Sequence, residues 1–153
     1  MQVRDVGNGS PCQEESCFRR SNYHKYLTTI EFYPLTGTEC VYSPCIEYYL
    51  DSKYQSLDNP VDLSMIAIPA VRFPQIIPMR SELMFDYRNN DDYKMMCDKV
   101  DMIFKVAYKH GHDSVVVSAF GCGAYGNPPH RVAEIFGKII SKWERHFKMI
   151  VIA

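Results

Sequence analysis

The stretch from residue 114 to residue 129, SVVVSAFGCGAYGNPP, decides the fold class. Its first six residues are either small, like serine and alanine, or apolar and β-branched, like valine. This is the pattern of a buried strand. A tight turn is predicted by the three glycines that follow: Gly121, Gly123 and Gly126. Asn127 is expected to cap a helix that carries Pro128 in its first position. A strand that leads through a glycine turn into a helix is typical of an α/β protein.

Elements of the same kind flank this stretch. Residues 91–110 carry apolar side chains at helical spacing, and Gly111 follows as a helix stop. After Pro128 a second apolar stripe predicts a helix that buries these side chains: Val132, Ile135, Phe136, Ile139, Ile140 and Trp143. Residues 65–71 and 149–153 are expected to be strands, the first of them covered on both faces. The order of elements predicts a layered α/β fold with a largely parallel sheet.

The N-terminal half is less regular. Ser10, Pro11 and Gln13 have the form of a helix start, with an N-cap, a first helical position and a capping box. Glu14 and Glu15 then lie in the first turn of that helix. Residues 28–57 are rich in tyrosine and β-branched residues but contain prolines and a glycine, which predicts short strands and turns.

Length and composition limit the class of protein. A chain of 153 residues with 46% hydrophobic content can bury one core, so we expect a single domain over residues 1–153. Its net charge of -1 excludes a general attraction to nucleic acid. The chain shows neither a secretory signal nor an apolar run of the roughly 18 residues that a membrane span needs. We therefore expect a soluble intracellular monomer, cytoplasmic or nuclear, without a membrane or a direct nucleic-acid partner.

The six cysteines do not match a known metal or disulfide pattern. Two pairs have the spacing C-x4-C, whereas zinc sites more often use C-x2-C with histidines at set distances. We expect no metal, no cofactor and free, mostly buried thiols. A thiol enzyme that uses Cys12, Cys17 or Cys122 stays open as an alternative, although no histidine stands at a recognisable distance from them.

The glycine turn allows two interpretations. Gly121, Gly123 and Gly126 can let backbone amides approach a diphosphate at the end of a strand, with the dipole of the following helix beside them. The same glycines can serve only the shape of a tight connection. The turn has neither the lysine of a P-loop nor the spacing G-x-G-x-x-G, so a kinase-like or dinucleotide-binding site is not expected.

The acidic pair also allows two interpretations. Glu14 and Glu15 complement the helix dipole, which by itself is the simpler explanation. As catalytic groups, one carboxyl would donate a proton to a glycosidic oxygen and the other would hold sugar hydroxyls. Consecutive helical residues diverge by about 100°. The two carboxyls therefore do not face each other across a scissile bond, and one acid would serve both steps.

Taken together, four segments closely resemble the microbial-type poly(ADP-ribose) glycohydrolase family. They are QEESCFRRSNY (13–23), YSP (42–44), HGHDSVVVSAFGCGAYGNPP (110–129) and VAEIF (132–136). QEE followed by GCGAYG is far more specific than either motif alone. The resemblance implies a macrodomain-like, three-layer α/β/α fold with a mixed, largely parallel central sheet.

The resemblance also implies an activity and a site. The family releases ADP-ribose from poly- or mono-ADP-ribosylated substrates by cleaving O-glycosidic bonds, without a metal or another cofactor. By resemblance Glu15 is the general acid/base and Glu14 holds the ribose. The substrate-binding residues that it implies are Gln13, Gly121, Cys122, Gly123, Ala124, Tyr125 and Gly126. The glycine loop would bind the diphosphate, and Tyr125 would position the terminal ribose. Implied partners are ADP-ribose, poly(ADP-ribose) and ADP-ribosylated proteins.

The sequence departs from the family at both ends. Relatives carry a strand and a glycine triplet six to eight residues before QEE. At those spacings this chain has Arg4-Asp5-Val6 or Gln2-Val3-Arg4, with Gly7 and Gly9 as a partial substitute. Relatives also continue their last strand beyond the final residue of this chain. A catalytically inactive ADP-ribose-binding module and a degenerate fragment are therefore the alternatives to a hydrolase. The hydrolase requires that the side chain of Glu15 and the amide of Gly123 reach the same nucleotide.

Overall fold

The computed structural model describes residues 13–27, 34–79 and 84–153. The chain is divided into two compact units. Unit 1 comprises Met1–Leu35 and Cys40–Ala67, and unit 2 comprises Thr36–Glu39 and Ile68–Ala153. The helix start at Ser10 and Pro11, like the glycines at positions 7 and 9, lies outside the described residues, and the single domain stays a prediction. Within the described ranges, every helix is too short or too polar to cross a lipid bilayer.

The described part of unit 1 contains two short helices and one strand pair. Its elements are α1 (Gln13–Arg20), α2 (Tyr23–Leu27), β1 (Val41–Leu50) and β2 (Ser56–Ala67). The predicted helix after residue 12 is confirmed, with acidic residues in its first turn and basic residues in its last, as the dipole favours. The hydrophobic core of unit 1 consists of Cys17, Phe18, Tyr23, Leu27, Leu35, Val41, Ile46 and Tyr48.

The β1–β2 pair corrects one strand prediction. The strand expected over residues 65–71 starts at Ser56 and ends at Ala67, and most of its residues are exposed. β1 and β2 pair antiparallel, with an irregular register around Pro44 and Cys45. Main-chain hydrogen bonds to β1 therefore hold a polar segment extended, although its composition is not that of a strand. The apolar residues 68–71 continue beyond the strand into unit 2.

Unit 2 carries the glycine loop. Its elements are β3 (Ile76–Pro78), β4 (Phe85–Tyr87), α3 (Asn90–Lys109), β5 (Ser114–Val117), α4 (Pro129–Trp143), a 3₁₀ turn (Glu144–His146) and β6 (Met149–Ile152). The predicted helix before residue 111 is confirmed: Asn89 caps its start, and Gly111 follows its end in the left-handed region at φ 77°. Asp101 of α3 joins it to α4, because its carboxylate accepts from the Trp143 indole at 2.7 Å and from Lys142 at 2.8 Å.

Parallel pairing is confirmed for β5 and β6, whose register joins Ser114 to Met149 and Val117 to Ile152. The other two strand pairs among the described residues, β1–β2 and β3–β4, are antiparallel. The described strands therefore do not form the predicted, largely parallel sheet. Short connections explain the difference, since an antiparallel pair needs only a tight turn and a parallel pair needs a crossover. The three-layer arrangement stays a prediction.

Candidate functional site

The glycine loop between β5 and α4 is fastened to the segment of residues 70–73. Asn127 is the centre of this connection and is only 1% exposed. Its side-chain amide donates to the carbonyls of Val71 at 2.7 Å and Gly121 at 3.0 Å. Its side-chain oxygen accepts from the hydroxyl of Tyr87 at 3.0 Å. Because all of these groups are paired inside the unit, the loop has a defined shape without a ligand.

This arrangement corrects the expected helix cap. α4 starts at Pro129, its N-cap residue is Pro128, and no side chain caps it. Asn127 does not cap the helix because its side chain is already committed to Val71, Gly121 and Tyr87. Because Pro128 and Pro129 carry no N–H, the start of α4 offers the loop chiefly the positive end of the helix dipole.

The three glycines of the loop have different reasons to be glycine. Gly121 has a φ of 72°, and a Cβ added there would lie 2.5 Å from the Ala70 Cβ and 2.6 Å from the Asn127 Nδ2. Gly126 also lies in the left-handed region, at φ 70°, but in open space. Gly123 meets neither condition, because its φ is not left-handed and no atom lies within 4 Å of an added Cβ. Backbone shape therefore explains two of these glycines and leaves Gly123 unexplained.

The exposed part of the loop presents amides to its surroundings. The N–H of Gly126 donates to the carbonyl of Gly123 at 3.0 Å, which closes the turn. No described residue accepts a hydrogen bond from the N–H of Gly123, Ala124 or Tyr125. Successive free amides next to a helix start favour an anion with several acceptor oxygens. A side chain at position 123 would occupy open space beside these amides.

Tyr125 connects the loop to two residues that the sequence did not single out, Arg72 and Phe73. The Phe73 N–H donates to the Tyr125 carbonyl at 3.0 Å, and their ring centroids lie 6.2 Å apart. The guanidinium carbon of Arg72 lies 5.3 Å from the centre of the Phe73 ring and 6.0 Å from that of Tyr125. The sequence showed residues 73–78 only as a proline-rich connection, so this contact depends on tertiary structure.

Glu15 is the second feature of interest, and it belongs to unit 1. The residue is 3% exposed, and no described residue forms a hydrogen bond with either carboxylate oxygen. Its ion pair with Arg19, one turn further along α1, is long at 3.5 Å. A carboxylate that only complemented the helix dipole would stay in water, because burying it without hydrogen bonds costs free energy. The burial therefore favours the functional interpretation of Glu15 over the simpler one.

Other residues around Glu15 are held within unit 1. Arg19 also donates to the hydroxyl of Tyr54, and hydrogen bonds from Ser16 and Arg19 lower the pKa of that hydroxyl. Arg20 donates to the Ser16 carbonyl at 3.3 Å. Arg19 and Arg20 thus have polar partners within unit 1. Glu14 is half-buried in the first turn, while the side chain of Gln13 lies outside the described residues.

The cysteines give little support to thiol chemistry. Among the described residues, Cys17 is buried, Cys45 is exposed and the other free thiols lie between these extremes. Burial raises the pKa of Cys122 in the glycine loop, which disfavours the thiolate that a nucleophile needs. The described ranges also contain no group of three or more side chains placed to hold a metal ion. Cys12 lies outside those ranges.

The structure thus places the predicted site residues in two groups. One group is the loop of unit 2, which holds Gly121, Cys122, Gly123, Ala124, Tyr125 and Gly126. The other is the first turn of α1 in unit 1, which holds Gln13, Glu14 and Glu15. The geometry supports an amide-lined anion site in the first group and a buried carboxyl in the second.

Comparison with known proteins identifies the fold. The sequence matches no protein-family model and no curated protein. The structure, however, is an α/β fold that is shared with poly(ADP-ribose) glycohydrolases of known structure.

Two of these glycohydrolases show how far the likeness extends. The enzyme from Thermomonospora curvata matches 100% of this chain with a TM-score of 0.81 and 24% sequence identity. The enzyme from Deinococcus radiodurans, solved in complex with ADP-ribose, matches 98% with a TM-score of 0.77 and 22% identity. This chain covers 59% of the first protein and 63% of the second. It therefore has their fold over a little more than half of their length.

Proposed function

We propose that this chain is a macrodomain-like hydrolase that releases ADP-ribose from poly- or mono-ADP-ribosylated proteins by cleaving an O-glycosidic bond. The observation that carries the proposal is the buried carboxylate of Glu15, which has no hydrogen-bond partner among the described residues. A group held at such a cost is typical of a site that works on a ligand. The shared fold with poly(ADP-ribose) glycohydrolases supports the same class of reaction.

Unit 2 is assigned the binding of the diphosphate. The free amides of Gly123, Ala124 and Tyr125 and the start of α4 supply partial positive charge to the phosphate oxygens. Gly123 lets the diphosphate approach the backbone, which accounts for the one loop glycine that backbone shape does not require. Tyr125 contributes its ring to the terminal ribose. This recognition uses dipoles, and so it is compatible with a net charge of -1 on the chain.

Unit 1 is assigned the proton transfers. Protonated Glu15 donates to the leaving oxygen while the C–O bond breaks and an oxocarbenium-like ribose develops. The resulting carboxylate then takes a proton from the attacking water, which restores the acid and leaves free ADP-ribose. Glu14 accepts hydrogen bonds from ribose hydroxyls and orients the sugar. Water and the glycosidic substrate supply every atom, so the reaction needs no cofactor.

The test measures binding and release separately. Calorimetry gives the Kd for ADP-ribose, and a release assay on an ADP-ribosylated peptide gives the turnover rate. Glu15→Gln keeps the size of the side chain and removes the acid. We expect it to lower the release rate by about 10²–10⁴-fold, the usual contribution of a general acid, while the Kd changes by less than about threefold.

Glu47→Gln is the matched control, since Glu47 is an exposed glutamate of the same unit. It is expected to keep the parent rate and the parent Kd. Release by Glu15→Gln at the parent rate would refute the assignment of the acid. If the unaltered chain binds ADP-ribose but releases none, the chain is an ADP-ribose-binding module and not a hydrolase.

A further inference from the structure

Arg72 lies against the glycine loop, and no carboxylate of the described residues pairs with it. The main chain of the next residue, Phe73, is hydrogen bonded to Tyr125 of the loop, and the guanidinium of Arg72 lies over both rings. Arg19 and Arg131 each contact a carboxylate, at 3.5 Å from Glu15 and 2.8 Å from Asp86. No such contact exists for Arg72 among the described residues. Contact with rings leaves the N–H donors of a guanidinium free for an anion.

The backbone beside Arg72 is strained. Phe73 has a φ of 51°, a left-handed conformation that a bulky side chain rarely adopts. Its ring is also 65% exposed, so burial of the ring does not offset the strain. Strain of this kind persists where the surrounding structure imposes it, and it clusters at sites that hold ligands. Here the bond from Phe73 to the Tyr125 carbonyl imposes it and fixes Arg72 beside the loop.

We infer that Arg72 is the charged contact for the diphosphate bound at the glycine loop. This inference rests on the proposed function. The amides of Gly123, Ala124 and Tyr125 provide dipoles but no full charge, while a diphosphate carries charge that a guanidinium neutralises directly. Packing on Tyr125 holds Arg72 in place before the ligand arrives, which reduces the entropy that binding must overcome. The site therefore selects nucleoside diphosphates over uncharged nucleosides.

The experiment compares ADP-ribose, ADP and adenosine by calorimetry at low and high salt. Arg72→Gln removes the charge and keeps a polar, although shorter, side chain. We expect this variant to bind ADP-ribose and ADP about tenfold more weakly at low salt, which corresponds to the loss of one charged hydrogen bond. The salt dependence of both affinities should also be smaller. Adenosine should bind both forms equally. Arg72→Lys keeps the charge without the planar fork and should give an intermediate loss.

Arg145→Gln is the control for the general field of the protein, because Arg145 is an exposed arginine of the 3₁₀ turn in the same unit. It should bind all three ligands like the unaltered chain, and equal melting temperatures would show that both variants fold. If the unaltered chain binds ADP-ribose and Arg72→Gln binds it equally well, only the role of Arg72 is overturned. The role of Arg72 is also overturned if Arg72→Gln loses as much affinity for adenosine as for ADP-ribose. The same holds if Arg145→Gln loses as much affinity for ADP-ribose as Arg72→Gln does. Failure of the unaltered chain to bind ADP-ribose overturns the proposed function itself.

Discussion

Replacing glycines one at a time by alanine separates the folding role of the loop from its binding role. Gly121→Ala puts a Cβ 2.5 Å from the Ala70 Cβ and 2.6 Å from the Asn127 Nδ2, at a φ of 72°. Left-handed backbone costs alanine about 1–2 kcal/mol, and overpacking adds about 1–3 kcal/mol. The free energy of unfolding should therefore fall by about 2–5 kcal/mol. At roughly 2–4 °C per kcal/mol for a chain of this size, the melting temperature should fall by about 4–20 °C.

Gly123→Ala should behave in the opposite way. No atom lies within 4 Å of the added methyl group, and the backbone is not left-handed. Such a substitution leaves stability unchanged or raises it by up to about 1 kcal/mol, because alanine restricts the unfolded chain. The methyl group would nevertheless stand where the diphosphate approaches the amides. We expect the Kd for ADP-ribose to rise at least about tenfold, a loss of about 1.4 kcal/mol.

Thermal unfolding and calorimetry with ADP-ribose measure the two effects on the same samples. Gly137→Ala is the control, since this glycine lies in α4 and an added Cβ there meets no atom within 4 Å. It should gain about 0.5–1 kcal/mol of stability and keep the parent Kd. An unchanged Kd in Gly123→Ala would falsify the proposed approach of the diphosphate to the loop. An unchanged melting temperature in Gly121→Ala would show that the packing argument is wrong.

Two further predictions concern the buried carboxylate of Glu15 and the half-buried one of Asp101. Glu15→Met removes a carboxylate that is 3% exposed and has only a long ion pair to Arg19, so the urea midpoint should stay the same or rise while ADP-ribose release is lost. A clear drop in the midpoint would assign Glu15 to the fold. Burial alone would raise the pKa of Asp101, but hydrogen bonds from Lys142 and Trp143 outweigh it and hold that pKa below its ordinary value of 3.8. Its stabilisation is therefore present above pH 3.8 and lost as the pH falls through the lowered pKa. Asp101→Asn should reduce stability by about 1–3 kcal/mol at neutral pH, and urea unfolding at decreasing pH below 3.8 should show that the difference from the parent shrinks. An equal difference at both pH values would contradict the assignment.

The regular elements of unit 2 could be predicted because their signals are local. Helix α3 has an apolar stripe with a stop at Gly111, and β5 is a short run of β-branched residues. Strand β2 could not be predicted in this way. Its first residues, SLDNPVDL, include four that are polar and a proline, and hydrogen bonds to β1 hold them extended. Pairing between distant segments is not written in the periodicity of either segment.

The same distinction applies to the candidate site. The sequence by itself determined which groups are present: a pair of adjacent glutamates at a helix start, and a glycine turn between a strand and a helix. Only the tertiary structure decided the surroundings of each group. It buried Glu15 without hydrogen bonds from the described residues, and it showed that backbone shape requires Gly121 but not Gly123. Burial and close contacts depend on residues far away in the chain, such as Ala70 beside Gly121, and therefore no local pattern encodes them.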